Sequence, residues 1–139
     1  MVRFRFEILE IWKRAADIAT KLFKLADILE KNKLYRFADQ LRGAGLSMPN
    51  NIAEGSGSTS KKEFIQFLNI ARRSTSENAS MILIFAKEKL ISEEMKDEII
   101  KDLDELMQND HFLFSNSSPL VLCSMPLVRT LRPKLHALS

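Results

Sequence analysis

Several side chains of this sequence could do chemistry, but none has the neighbours that catalysis needs. Carboxylates cluster at Glu93 and Glu94 and again at Asp102, Asp104 and Glu105, where acid–base pairs are conceivable. Charge runs of this kind on an amphipathic helix are typical of a solvated face. The single thiol, Cys123, lacks the flanking pattern of a nucleophile. We therefore expect no catalytic residues and a protein that is not an enzyme.

The sequence gives little indication of a metal site or of a phosphate site. His111 and His136 are the only histidines, and a metal site needs several converging ligands. The run from Gly55 to Ser58 precedes a predicted helix, whose N-terminus can attract anions. It lacks the lysine of a phosphate-binding loop and follows no strand, so a linker is the simpler interpretation. We expect no metal and no cofactor.

Basic residues are the best functional candidates. The net charge of +3 is the sum of +6 over residues 1–91, −6 over 92–110 and +3 over 111–139. A basic body can attract a polyanion or an acidic protein, or it can be a solvated surface with a mild bias. The phenylalanines mostly fall on apolar stripes, so binding would use the backbone and shape of a nucleic acid. The candidate nucleic-acid-binding residues are Lys13, Lys21, Lys24, Lys61, Lys62, Arg72 and Arg73.

Four amphipathic helices must position these residues. Apolar residues recur every three or four positions over residues 7–31, 34–54, about 60–90, and 92–110. Ser60 and Glu63 have the spacing of a capping box, which predicts the start of the third helix. Ser92 is followed by two acids, as is typical of a helix N-cap, and predicts the start of the fourth. The connections are short. The sequence therefore predicts an all-α protein, an antiparallel up-and-down four-helix bundle.

The second helix contains a proline. Pro49 has no N–H to donate to the carbonyl of residue 45, as a helix requires, and its ring crowds that carbonyl. Residue 45 is a glycine and can yield, so we predict that the helix bends at Pro49 and continues. Asn51 and Glu54 share one side of this helix. Our hypothesis is that they point inward and pair with a basic residue such as Arg42 or Arg72.

Small polar residues occupy positions 74–80 of the third helix, and they indicate either close approach of a neighbouring helix or a wet spot in the core. Beyond the fourth helix the sequence changes, because prolines at 119, 126 and 133 block a regular helix and a central strand alike. We predict a bundle over residues 1–110 and an irregular, poorly ordered proline-repeat tail over 111–139. The N-terminus lacks a signal peptide and no segment is apolar enough to span a membrane, so we expect a cytoplasmic protein.

Several motifs resemble a known family. They are residues 6–7, 12–15 and 40–42, the Asn-Ile-Ala-Glu-Gly element within 47–55, and the Glu-Phe-x-x-Phe-Leu-x-Ile-Ala element within 62–72. In combination they are similar to the bacterial 23S ribosomal RNA intervening-sequence proteins, also called the four-helix-bundle protein family. The resemblance covers about residues 4–107 and marks four positions as its structural motif: Pro49, Asn51, Glu54 and Gly55.

The resemblance implies an up-and-down bundle that forms ring-shaped homopentamers, and a binding or scaffolding role. A related group, the accessory variability determinants of diversity-generating retroelements, binds reverse transcriptase and nucleic acid. In the family the fourth helix usually continues for several more turns, whereas here the pattern predicts that it fades at 108–110. The first hypothesis is an oligomeric adaptor that binds RNA, DNA or a nucleic-acid enzyme such as reverse transcriptase. The alternative is a structural or protein-interaction module without nucleic-acid binding.

Overall fold

A computed structural model describes residues 3–115 of the chain, with side chains as far as residue 109. A short 3-10 turn, Arg5–Ile8, precedes four α-helices. Within the described residues no strand occurs, which confirms the predicted all-α fold. The helices are α1 (Glu10–Lys31), α2 (Tyr35–Ser56), α3 (Lys61–Lys87) and α4 (Glu93–Ser115).

The helices form an up-and-down four-helix bundle. Both α1 and α3 pack against α2 and against α4. Antiparallel direction follows from the contacts, because Arg14 meets Glu105 of α4 while Lys21, further along α1, meets Glu98, earlier in α4. The predicted topology is therefore confirmed.

The core is built from the apolar stripes that the spacing predicts, with corrections at four positions. Phe37, Ile70 and Ile84 belong to those stripes by spacing, but they are 44%, 43% and 54% exposed. Ile8, placed on the stripe by its spacing, is 54% exposed. It belongs to the 3-10 turn, and the extended backbone at Leu9 separates that turn from α1. The fourth helix contributes least, with Ile99, Leu103 and Leu106 as its buried residues over positions 93–109. Fully buried members of the core include Leu22, Leu25, Leu29, Leu41, Met48, Ile52, Leu68, Ile82, Leu103 and Leu106.

The second and fourth helices both run further than their patterns predict. The second continues through Pro49, which is buried, and ends at Ser56 with Gly57 as its C-cap. Its bend stays a prediction. The predicted fading of the fourth helix at 108–110 is wrong, because the backbone of α4 remains helical to Ser115. Positions 111–115 therefore belong to α4, and the predicted division of the chain into bundle and tail stays a prediction. The proline repeat lies outside the described residues.

Two helices end in the same way, with a lysine where glycine is usual. Lys33 follows α1 with a φ of 63°, and Lys89 follows α3 with a φ of 57°. In each case the next amide closes the turn: Leu34 N donates to the carbonyl of Leu29 at 2.9 Å. This hydrogen-bond pattern is the Schellman motif, and it requires a left-handed residue that costs a non-glycine side chain about 1–2 kcal/mol.

Lys33→Gly is therefore expected to stabilise the protein. The gain should be about 0.5–1 kcal/mol, because relief of the left-handed strain exceeds the extra freedom that glycine gives the unfolded chain. Urea denaturation measures the change. Lys31→Gly is the matched control: Lys31 is helical, so glycine there should destabilise by up to about 1 kcal/mol. Equal effects of both substitutions would contradict the assignment of the helix end.

Candidate nucleic-acid interface

The basic residues of α1 lie beside the acidic helix. Lys21 Nζ lies 2.5 Å from Glu98 Oε1 and 2.7 Å from Asp102 Oδ2. Hydrogen bonds to Asp102 and then to Glu98 raise the pKa of Lys21 above its usual value. Its positive charge is therefore paired at the surface, where α1 and α4 meet.

The groove between α1 and α4 has mixed charge along its length. Arg14 pairs with Glu10 and, across the groove, with Glu105 at 3.3 Å. A cleft of about 250 Å³ opens further along, and its lining includes Lys24 and Glu98. A phosphate that approaches Lys24 would therefore meet a carboxylate as well. Lys13 is exposed on the same helix.

The basic residues of α3 have a different setting. Lys62, Arg72 and Arg73 are exposed, whereas Lys61 is partly buried. On a helix, residues three or four apart are neighbours, and this spacing joins Lys62 and Arg73 to further exposed residues along the outer face. We call this set the α3 strip: Lys62, Gln66, Asn69, Arg73, Ser76, Ser80, Leu83 and Lys87.

The α3 strip contains cations, neutral polar residues and the exposed Leu83. Glu77 lies four residues after Arg73 and is therefore its neighbour on the helix surface. The acids within α3 are Glu63 and Glu77, seven residues before and seven residues after Ile70. These three residues therefore share one line on the helix surface, next to the α3 strip. The structure thus places Lys62, Arg72 and Arg73 on the exposed surface of α3, with Lys62 about three turns from the two arginines, whereas Lys21 is paired with α4.

A polar contact joins α2 and α3 in the middle of the bundle. Ser47 and Ser74 share a hydrogen bond of 2.7 Å between their hydroxyls. Asn78 is fully buried and its Nδ2 donates to the carbonyl of Ser74 at 2.8 Å, while its Oδ1 has no hydrogen-bond partner among the described residues. The small polar residues of α3 therefore allow direct contact with α2, one of the two alternatives left open by the sequence.

The hypothesis that Asn51 and Glu54 pair with Arg42 or Arg72 is wrong. Asn51 Nδ2 donates to the carbonyl of Ser47 at 2.7 Å, one turn earlier in α2. Glu54 and Arg72 are both exposed. Arg42 pairs instead with two carboxylates of α1, which come close because α1 and α2 are antiparallel.

Those two carboxylates are Glu30 and Asp27, each 2.7 Å from the Arg42 guanidinium. The hydrogen bonds that Arg42 donates to Glu30 and Asp27 raise the pKa of Arg42, and the bond to Glu30 lowers the pKa of that carboxyl. The Glu30 pair therefore contributes stability above the unfolded pKa of its carboxyl, and this contribution is lost as the pH falls through the lower folded pKa. Both side chains lie near the surface, so the effect is small.

Gly55, the last residue of the family motif, has a packing role. It is buried, and a Cβ atom built on it would lie 2.7 Å from Phe64 Cδ2 and 2.8 Å from Phe67 Cβ. The absence of a side chain lets the end of α2 lie directly on the first turns of α3. Gly55 and Ser56 thus belong to the packed end of α2, whereas the sequence predicts a linker there.

Two kinds of site are absent from the described part of the chain. Among residues 3–109, no three or more His, Cys, Asp or Glu side chains are grouped so that they could hold a metal ion. Among the helices of residues 3–115, none has a segment long and apolar enough to cross a bilayer.

Comparison with known proteins identifies the family. A solved structure with a TM-score of 0.73 covers 76% of this chain and 99% of its own, at 21% sequence identity. It is a protein of unknown function from the S23 ribosomal protein family of Bacteroides thetaiotaomicron, and the likeness is one of fold. No curated protein matches the chain. The family model described as 23S rRNA-intervening sequence protein matches residues 7–109, and the chain therefore belongs to that family.

Proposed function

We propose that this protein is a non-enzymatic adaptor or scaffold that binds nucleic acid through the α3 strip. The observation that carries the proposal is the set of three exposed cations on that strip, Lys62, Arg73 and Lys87. Lys62 and Arg73 lie on it and Arg72 lies beside it, all three exposed. The lysines of α1 are weaker candidates, because the carboxylates of α4 pair with Lys21 and lie near Lys24.

The proposal includes self-association, with the homopentamer as the expected state. The family resemblance supports it, and exposed apolar residues such as Leu46, Ile70 and Ile84, each more than 40% exposed, are surface that self-association would cover. Several copies would repeat the α3 strip around one assembly, which raises avidity for a long polyanion. A nucleic-acid enzyme such as a reverse transcriptase is the proposed protein partner, supported by the family resemblance. The proposed compartment is the cytoplasm, which suits a chain with one cysteine.

A second candidate function is a protein-interaction module with no nucleic-acid binding. It is favoured by the line of α3 next to the strip, where Glu63, Ile70, Glu77 and Ile84 alternate acidic and exposed apolar residues. Such a surface suits a protein partner better than a phosphate backbone.

Paired charge reversals test the proposed function. Lys62→Glu/Arg73→Glu changes two cations of the α3 strip, and Lys13→Glu/Lys24→Glu makes the same change of charge on α1. We expect wild-type protein to bind a fluorescently labelled structured RNA with an affinity that falls steeply with salt. The α3 pair should weaken binding by about tenfold or more and reduce the slope of log K against log salt by about 1.5, because two phosphate contacts are lost.

The α1 pair should weaken binding less. A loss equal to or greater than that of the α3 pair would place the binding surface elsewhere. No binding by wild-type protein, even at about 50 mM salt, would overturn the proposed function and favour the protein-interaction module. Thermal unfolding of each variant checks that its fold is retained.

A further inference from the structure

One end of the bundle collects cations that have no partner. The ring centroids of Phe37 and Phe85 lie 5.9 Å apart, so the start of α2 meets the end of α3, and the turns that follow α1 and α3 lie at the same end. We call residues 31–37 and 83–89 the cationic end. Its cations are all exposed, and within the described residues none of them forms an ion pair: Lys31, Lys33, Arg36, Lys87 and Lys89.

Carboxylates are few at the cationic end. Glu88 is the one acid within its two segments. Of the acids that border these segments, Glu30 pairs with Arg42 and Glu93 pairs with Lys96, whereas Glu94 is exposed. The end therefore keeps an excess of positive charge that a polyanion can approach.

Two of these lysines are held in a backbone conformation that favours glycine. Lys33 has a φ of 63° and Lys89 has a φ of 57°, and glycine would adopt this conformation at less cost. Backbone strain of this kind is typical of functional sites. Both positions place a charged side chain at the same end of the protein, which points to a role for the two charges in binding.

Exposed aromatic rings lie between the two lysine-bearing turns. Tyr35 is 58% exposed and Phe37 is 44% exposed at the start of α2, whereas the sequence places the phenylalanines mostly on buried stripes. Helices α1 and α3 both pack on α2, and packed helices lie about 8–10 Å apart. Each lysine-bearing turn is therefore about one helix spacing from the start of α2, on opposite sides of it.

Aromatic rings between cations favour unpaired nucleotides as the ligand. Bases in a duplex stack on one another, whereas the unstacked bases of a single strand can stack on aromatic side chains while cations contact the backbone. Leu83 and Ile84, near the end of α3, are exposed as well. These two aliphatic residues alone would suit a protein partner, but the unpaired cations and the rings together favour a nucleic acid.

We propose that the cationic end binds unpaired nucleotides, with phosphates at Lys33 and Lys89 and bases stacked on Tyr35 and Phe37. Lys87 belongs both to this end and to the α3 strip, so a strand held here can extend along α3. This inference rests on the proposed function and adds to it a second binding surface and the class of nucleic acid that this surface takes.

Two probes of equal charge test the inference with the full chain. One is an oligouridylate of about 12 nucleotides, a usual size for a single-strand site, and the other is an abasic sugar–phosphate chain of the same length. Fluorescence anisotropy at fixed salt should give about tenfold tighter binding of the oligouridylate, because only its bases can stack. Tyr35 is the only tyrosine of the chain, so the fluorine NMR signal of fluorotyrosine-labelled protein should shift more with the oligouridylate than with the abasic chain.

Tyr35→Leu/Phe37→Leu keeps apolar side chains and removes both rings. It should weaken binding of the oligouridylate about tenfold and leave binding of the abasic chain unchanged. Thermal unfolding checks its fold, because Phe37 contacts Phe85, and Tyr35→Leu alone should already weaken binding severalfold. Phe4→Leu is the control: Phe4 is an exposed ring at the opposite end of the bundle, and its loss should change neither affinity.

Lys33→Gly/Lys89→Gly should have opposite effects on stability and on binding. The melting temperature should rise because backbone strain is relieved. The affinity for the oligouridylate should fall about fivefold or more, and the slope of log K against log salt should decrease by about 1.4, because two phosphate contacts are lost. Lys13→Ala/Lys24→Ala removes two charges from exposed positions of α1 and should change the affinity less than twofold.

Three results would overturn this inference and leave nucleic-acid binding by the α3 strip standing: equal binding of the two probes, an equal loss with Phe4→Leu, or an unchanged affinity of the glycine variant. Tighter binding of a polyglutamate of equal charge would also overturn it, in favour of an acidic protein partner. Failure of both probes and of structured RNA to bind at about 50 mM salt would overturn the proposed function itself.

Discussion

Asn78→Asp is expected to destabilise the bundle by about 3–5 kcal/mol at neutral pH, the usual cost of an uncompensated buried charge. Asn78 is fully buried, and its Nδ2 donates to the carbonyl of Ser74 at 2.8 Å. Aspartate has the same shape but puts an acceptor where that donor was. No described side chain supplies a donor to the other oxygen, since Oδ1 of Asn78 already lacks a partner. The variant must therefore bury a charge or bind a proton.

The loss of stability should depend on pH. Burial raises the pKa of a carboxyl in the folded protein above its unfolded value of about 3.9. The penalty is therefore small below the unfolded pKa, grows as the pH rises, and becomes constant above the folded pKa. Urea denaturation at about pH 4 and pH 7 measures the difference between the variant and the wild type.

Asn69→Asp is the matched control, because Asn69 is exposed on the same helix. Its cost should stay within about 0.5 kcal/mol and change little with pH. A similar small cost for Asn78→Asp would mean that water or a cation reaches the buried site, and it would contradict the buried position of Asn78.

Gly55→Ala is expected to destabilise the protein by about 1–3 kcal/mol, the usual cost of overpacking. The added Cβ would lie 2.7 Å from Phe64 Cδ2 and 2.8 Å from Phe67 Cβ. The Phe64 contact can be relieved by a ring movement. The Phe67 contact is with Cβ, which is bonded directly to the backbone, so relief requires movement of the backbone of α3. Thermal or urea unfolding measures the loss, and about 1 kcal/mol corresponds to several degrees in melting temperature.

Gly43→Ala controls for helix propensity. Gly43 lies in the same helix, but a Cβ built there has no neighbour within 4 Å. Alanine at this position should stabilise α2 by about 0.5–1 kcal/mol. The two alanine substitutions should therefore differ in sign. Stabilisation by Gly55→Ala would show that the first turns of α3 can move away at little cost.

The helices and their buried faces could be predicted because local spacing determines them. The caps show this well: Ser60 accepts a hydrogen bond from Glu63 N at 3.1 Å, and Ser92 accepts one from Met95 N at 3.2 Å. The C-terminal end of α4 was misplaced because the polar run at 108–110 has the composition of a helix end. A polar run can equally continue a helix on its solvated side, and periodicity alone does not distinguish the two.

The charge partners could not be predicted because they depend on the register between helices. Arg42 meets Asp27 and Glu30 of α1, which are 15 and 12 residues away in sequence. The hypothesis instead paired Arg42 with Glu54 of its own helix. The pairing of Lys21 with α4 also depends on register. The polar face of α3 does not, because spacing along one helix determines it.

The separation of charge between neighbouring helices has a kinetic consequence. The carboxylates of α4 pair with Lys21 and Arg14 of α1, while the cations of α3 face solvent. The exposed cations of α3 and the carboxylates of α4 thus lie on different helices. If the protein binds a long polyanion as proposed, the field of the ligand would favour approach with α3 foremost, and electrostatic steering would raise the fraction of productive encounters.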